Sequence, residues 1–87
     1  MKIELMDSSK NLAEQPQQQW FGNSAPGLYT ALFAGNDMSL QHERDGRFHL
    51  YYLGYAAHDF ASAEAAKKAA PEFARRVLAR LSDMIAD

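Results

Sequence analysis

From Leu28 to about Tyr55 the chain alternates between apolar and polar side chains, and beyond Ser62 it changes to the three-and-four spacing of an amphipathic helix. The alternation predicts strands over Leu28–Ala34, Met38–Arg44 and Arg47–Tyr55, hinged at Gly35-Asn36 and Asp45-Gly46. Asp45-Gly46 suits a two-residue type I′ turn, which needs positive φ at both central residues. That turn would set Arg44 against Arg47, His42 against His49 and Leu40 against Tyr51. Gly35-Asn36 suits a type II′ turn, pairing Phe33 with Met38 and Ala31 with Leu40.

These registers sort the side chains onto two faces. One carries Tyr29, Ala31, Phe33, Met38, Leu40, Tyr51 and Leu53, and reads as the core. The other carries Leu28, Leu32, Phe48, Leu50 and Tyr52 among Thr30, Ser39, Gln41 and Glu43. A three-residue Gly35-Asn36-Asp37 loop would instead exchange Leu28 and Leu32 for Tyr29 and Phe33, because a one-residue slip turns a strand over.

Ser62 is suited to cap the helix, with Glu64 at the positive end of its dipole. At 100° per residue Ala66, Ala70, Phe73, Ala74, Val77, Leu81, Met84 and Ile85 share one arc. Pro71 removes a backbone donor and crowds the Lys67 carbonyl, which predicts a kink or two consecutive helices. Upstream, Ile3 to Met6 suit a short edge strand, and Asp7 to Gln19, rich in Ser, Asn, Gln and Pro, read as a loop or linker. The expected organisation is an N-terminal strand or flexible segment over 1–19 and a βββα domain over 20–87. Its class is α+β: a three-stranded antiparallel meander packed by one C-terminal helix.

At 87 residues such a domain buries roughly 60 to 65 % of its unfolded surface, so association would add to a small core. The 47 % hydrophobic and 23 % charged composition is that of a folded chain, and the net charge of -2 argues against a general nucleic-acid coat protein. Without cysteine there is no disulfide, thiolate metal site or cysteine nucleophile. The N-terminus lacks the apolar run of a signal peptide and no segment approaches a bilayer span, so a cytoplasmic location is expected and no membrane partner.

Three groups of residues are candidates for function. Phe48, Leu50 and Tyr52 form an apolar patch on the face that one helix cannot cover; either they meet a partner or Trp20-Phe21 or the N-terminal strand folds over them. Arg75, Arg76 and Arg80, with Lys67 and Lys68, line the polar helix face and suit an acidic protein or phosphates, although Glu64, Glu72 and Asp83 dilute that field and an ordinary solvated face explains them too. His42 and His49, set opposite each other, suggest a metal pair with Glu43 or His58-Asp59 near by, but Glu43 would face away and two histidines leave a zinc site incomplete. No nucleophile elbow, phosphate loop, dinucleotide fingerprint or His-Glu-x-x-His helix occurs, so no cofactor and no catalysis are expected.

The run Asp45-Gly46-Arg47-Phe48-His49-Leu50, continuing through Gly54-Tyr55 and Phe60-Ala61-Ser62-Ala63-Glu64-Ala65-Ala66, resembles small phage-encoded proteins in which a hairpin strand leads through Phe-x-Ser-x-Glu-Ala into a C-terminal helix. Phage anti-CRISPR proteins are similar in size and charge. The resemblance covers about the last two-thirds of the chain. It implies a non-enzymatic inhibitor in the host bacterial cytoplasm that binds a Cas protein or surveillance complex and blocks target-DNA binding or nuclease recruitment. Tyr29-Thr30-Ala31-Leu32-Phe33, Asp45-Gly46-Arg47-Phe48 and Glu64-Ala65 are also similar to the core of HicB-type antitoxins. The chain departs from that pattern in an additional strand, a missing proline loop before the helix and no DNA-binding appendage after Asp87. Nucleic-acid binding through the basic helix face, and a homodimer that buries the second sheet face, are the remaining expectations.

Overall fold

The computed structural model describes residues 2–4, 16–23 and 27–86. Its elements are β1 (Phe21–Asn23), β2 (Leu28–Phe33), β3 (Asn36–His42), β4 (Phe48–Tyr52), β5 (Tyr55–Phe60) and α1 (Ala63–Asp83). The strands form one antiparallel sheet in chain order, with α1 against β3, β4 and β5. The α+β class is as the periodicity implies, but the sheet has five strands where three were expected. Of the expected strand over Ile3 to Met6, Ile3 and Glu4 are not in a strand and the remainder lies outside the described residues, as does the segment 7–15.

Two strands, β1 and β5, are additional to those expected. Leu53 and Gly54 both take positive φ, 49° and 83°, and form the two-residue turn that folds the expected third strand into β4 and β5. Phe21–Asn23 pairs with Leu28–Thr30 and adds β1 at the edge. A side chain at Gly22 would place its Cβ 2.2 Å from the Leu28 carbonyl oxygen, so glycine lets these two strands approach.

Both predicted registers are corrected. The first hairpin turns at Ala34-Gly35, with φ of 51° and 76°, so Ala31 faces Met38 and Tyr29 faces Leu40. The register moves by two residues, and β2 and β3 keep the faces read from the alternation. The second hairpin has a three-residue loop. The Gly46 amide donates to the Glu43 carbonyl at 3.0 Å and the Glu43 amide to the Arg47 carbonyl at 3.0 Å, with Gly46 left-handed at φ 80°. This is a type I turn closed by a glycine bulge. His42 therefore faces Phe48 and Leu40 faces Leu50, so β4 is turned over relative to expectation.

That inversion assembles the core. Ala31 and Phe33 of β2, Met38 and Leu40 of β3 and Leu50 and Tyr52 of β4 are buried beneath Ala66, Ala70, Ala74 and Val77 of α1. The three helix alanines add little bulk, and the large side chains below them fill the layer. Phe33, Tyr52 and Phe73 meet edge to face at centroid distances of 6.4 and 6.5 Å, and Trp20 reaches Phe33 at 5.9 Å. The buried Tyr52 hydroxyl donates to the Phe33 carbonyl, which satisfies both groups.

The helix begins where the sequence places it: Ser62 Oγ accepts from the Ala65 amide at 3.0 Å. It runs through Pro71 as one element of 21 residues and not as two. Met84 caps the C-terminus, so Met84 and Ile85 lie past the packed turns and are exposed, contrary to the arc drawn through them. Gln18 donates its amide to the Leu32 carbonyl at 2.7 Å and Gln17 Oε1 accepts from Gly35 at 2.9 Å, which fastens the segment before β1 to the first hairpin.

Candidate functional site

Phe48, Leu50 and Tyr52 do not form an exposed second face. Leu50 and Tyr52 are fully buried under α1, and half-buried Phe48 stacks on His42 with ring centroids 4.3 Å apart. The one-residue change in loop length accounts for the correction. His42 and His49 are likewise separated onto opposite faces, because His42 aligns with Phe48 and His49 with Gln41.

On the helix, Arg75, Arg76 and Arg80 are all exposed. Glu72 lies 3.8 Å from Arg75 and hydrogen-bonds Arg76 Nε at 2.9 Å, one carboxylate between two guanidinium groups. Lys67 lies 4.0 Å from Glu64 and 5.0 Å from the Tyr29 ring centroid. Such contacts are small in energy and match a solvated face. A groove of about 140 Å3 lined by Gln18, Phe33, Ala34, Pro71, Ala74, Arg75 and Leu78 lies between α1 and the first hairpin. It is smaller than ordinary cofactor pockets.

The sheet face turned away from α1 holds the structured chemistry. At one end are Phe21, 62 % exposed, and Leu28, 43 % exposed, with half-buried Leu32. Polar Thr30, Ser39 and Gln41 follow. At the other end a hydrogen-bonded group joins the β3–β4 loop to β4 and β5.

His49 is the centre of that group and is buried to 6 % exposure. Its Nε2 lies 3.2 Å from Asp45 Oδ2, and its Nδ1 lies 2.8 Å from Nδ1 of His58. Asp45 closes the loop, accepting from the Arg47 amide at 2.8 Å through Oδ1. That backbone bond is the main reason its carboxyl is held below the usual range; burial opposes it, and the hydrogen bond to His49 adds to the lowering. Beside it Tyr51 donates to Glu43 at 3.0 Å; this bond, then burial, raises the phenol.

The pairing of β4 with β5 is irregular between Phe48 and Leu50, so that His58 and Asp59 together fall opposite His49. Asp59 has φ of 71°, a left-handed conformation that aspartate tolerates better than most residues. One ligand atom from each of Asp45, His49 and Asp59 lies within 4.8 Å of the others.

The sequence placed His58-Asp59 near His49 but paired His49 with His42 and read Asp45 only as a turn residue, so the junction of Asp45 with His49 and His58 was not foreseen. The signal available was Leu53-Gly54, whose leucine at a positive-φ position is an uncommon turn residue. Comparison with protein-family models, with curated proteins and with solved structures gives no match.

Proposed function

We propose that this chain is a small non-enzymatic interaction protein that acts by laying its uncovered sheet face on a partner. The observation that carries the proposal is that α1 covers only one face of a five-stranded sheet. The other face presents Phe21, Leu28 and Leu32 beside a polar strip, the mixture of apolar anchors and hydrogen-bonding groups that interfaces use. Phe21, Leu28, Leu32 and Tyr51 therefore replace Phe48, Leu50 and Tyr52 as the contact residues, and Arg75, Arg76 and Arg80, on the helix side of the molecule, lie away from this face. No helix among the described residues is long and apolar enough to cross a membrane.

The partner class follows from the hairpin-to-helix resemblance: a Cas protein or surveillance complex of a bacterial host, inhibited by occlusion and not by chemistry. The test expresses the chain in bacteria carrying single CRISPR-Cas systems and measures survival of a targeted plasmid. Protection by the parent chain in at least one system, lost in Leu28→Asp and kept in Arg75→Ala with Arg76→Ala, is the expected outcome. The purified protein should also bind the corresponding Cas complex after nuclease treatment. Absence of protection across the systems overturns the choice of partner. Protection that survives Leu28→Asp but falls with the helix arginines overturns the choice of face, and retention of nucleic acid alone favours the basic helix.

A further inference from the structure

We infer that Asp45, His49 and Asp59 form a binding site for a first-row divalent transition-metal ion, with His58 as the group that orients His49. The inference stands on geometry at the loop end of the uncovered sheet face and does not depend on which partner that face meets. Such ions bind imidazole nitrogen and carboxylate oxygen at about 2.0 to 2.2 Å, so adjacent ligands lie about 3 Å apart and opposite ligands about 4.2 Å apart. Asp45 Oδ2 and His49 Nε2, 3.2 Å apart, already span an adjacent pair. All three ligand atoms lie within 4.8 Å of one another, close to ligand spacing, and the carboxylate of Asp59 is exposed and free to rotate inward.

Three features of the fold converge on this arrangement. The buried imidazole of His49 has its ring fixed from both nitrogens. The bulge between β4 and β5 brings Asp59 opposite it, at a left-handed φ that a side chain adopts at a cost. Bulges of this kind often re-aim side chains beside functional sites.

His58 supplies the orienting contact. With Asp45 accepting a hydrogen bond from the Nε2 N–H, His49 accepts at Nδ1 from the Nδ1 N–H of His58. When Nε2 binds a metal ion its proton leaves to solvent and the Nδ1 proton of His58 passes to Nδ1 of His49. The exposed His58 takes up one proton from solvent on Nε2, so that Nδ1 of His49 donates to Nδ1 of His58. Metal-bound histidines use their second nitrogen in this manner. One imidazole with two carboxylates selects zinc, cobalt, nickel or manganese over calcium and magnesium, which favour all-oxygen sites. Three protein ligands leave further positions open to water or to an exogenous donor.

The test uses the untagged full-length chain, dialysed against chelator and titrated with zinc chloride and with cobalt chloride by calorimetry, with long-range nitrogen NMR of the histidine rings. The expected result is saturable binding of one ion per chain, a rise in Tm, and a shift localised to Nε2 of His49. Asp45→Asn and Asp59→Asn should each weaken binding at least about tenfold, and His58→Phe about tenfold or more. Asparagine retains an acceptor for the Arg47 amide and tolerates positive φ, so both variants should keep the parent circular dichroism. His42→Gln, altered on the opposite face, should leave binding unchanged. Absence of saturable binding below millimolar metal overturns the inference. Binding unaffected by both asparagine variants, or a shift confined to His42 or His58, does so equally.

Discussion

Tyr52 shows how one side chain joins packing to hydrogen bonding. Its ring occupies the centre of the core and its hydroxyl serves the Phe33 carbonyl, while burial raises the phenol above its ordinary value and the side chain of Asn36 lowers it to a lesser extent. The folded protein therefore holds this proton more tightly than the unfolded chain. The resulting stability is complete below about pH 10 and is lost as the pH rises through the folded value. Tyr52→Phe should cost about 1 kcal/mol at pH 7 through the unpaired carbonyl. It should also flatten the decline of stability above about pH 10, as denaturant titrations at several alkaline pH values would record. An unchanged alkaline slope in the variant would assign the decline to other groups, Tyr51 first. Leu50, with no exposure, is the sharper probe of packing. Leu50→Ala should cost about 2 to 5 kcal/mol, whereas Leu28→Lys on the uncovered face should change stability by less than about 0.5 kcal/mol.

At the scale of elements, the turns decide more than the strands they join. The alternation of apolar residues in β2 and β3 identifies their inner faces whichever turn connects them, since a shift of two residues preserves the side-chain parity. The β3–β4 connection is different, because a two-residue loop and a three-residue loop with a glycine bulge send β4 to opposite faces. Asp45-Gly46 is compatible with either. Leu53 at φ 49° is a poor turn former, so Leu53→Asn should stabilise the protein by about 0.5 to 1 kcal/mol. A lower Tm for that variant would mean that Leu53 packs more usefully than its exposure suggests. Within α1, Pro71 leaves the Lys67 carbonyl without its helical donor. Pro71→Ala should raise stability by about 1 to 3 kcal/mol, the helix-propensity gain less the ring contacts in the adjacent groove. Thermal unfolding followed by circular dichroism gives the sign directly.

For the whole molecule, the distribution of packing predicts a gradient of opening. β3 and β4 lie in the middle of the sheet beneath α1, whereas β1 contributes three residues at an edge and makes its main contacts with β2. Amide exchange should therefore be slowest in Met38–Leu40 and Leu50–Tyr52 and fastest among the strands in Phe21–Asn23. Comparable protection in β1 would reveal a further layer over that edge, such as a second copy of the chain. The same asymmetry accounts for the two ends of the uncovered face. Phe21 and Leu28 sit at the least protected edge and can adjust to a partner, while Asp45, His49 and His58 join the β3–β4 loop to two strands and hold a fixed geometry.

The sequence by itself determined what local periodicity and capping can specify: an α+β class, inner faces for β2 and β3, a helix started by Ser62 and an apolar helix stripe through Ala66, Ala70, Ala74 and Val77. Each follows from side-chain spacing or from a backbone donor satisfied within a few residues. Tertiary structure decided the length of the β3–β4 loop, the division of Phe48–Phe60 into two strands and the addition of β1. These are choices between locally acceptable turns, and they depend on which strand face finds the helix. Burying Leu50 and Tyr52 beneath α1 selects the three-residue loop, and the same choice turns His49 outward to meet Asp45 and His58.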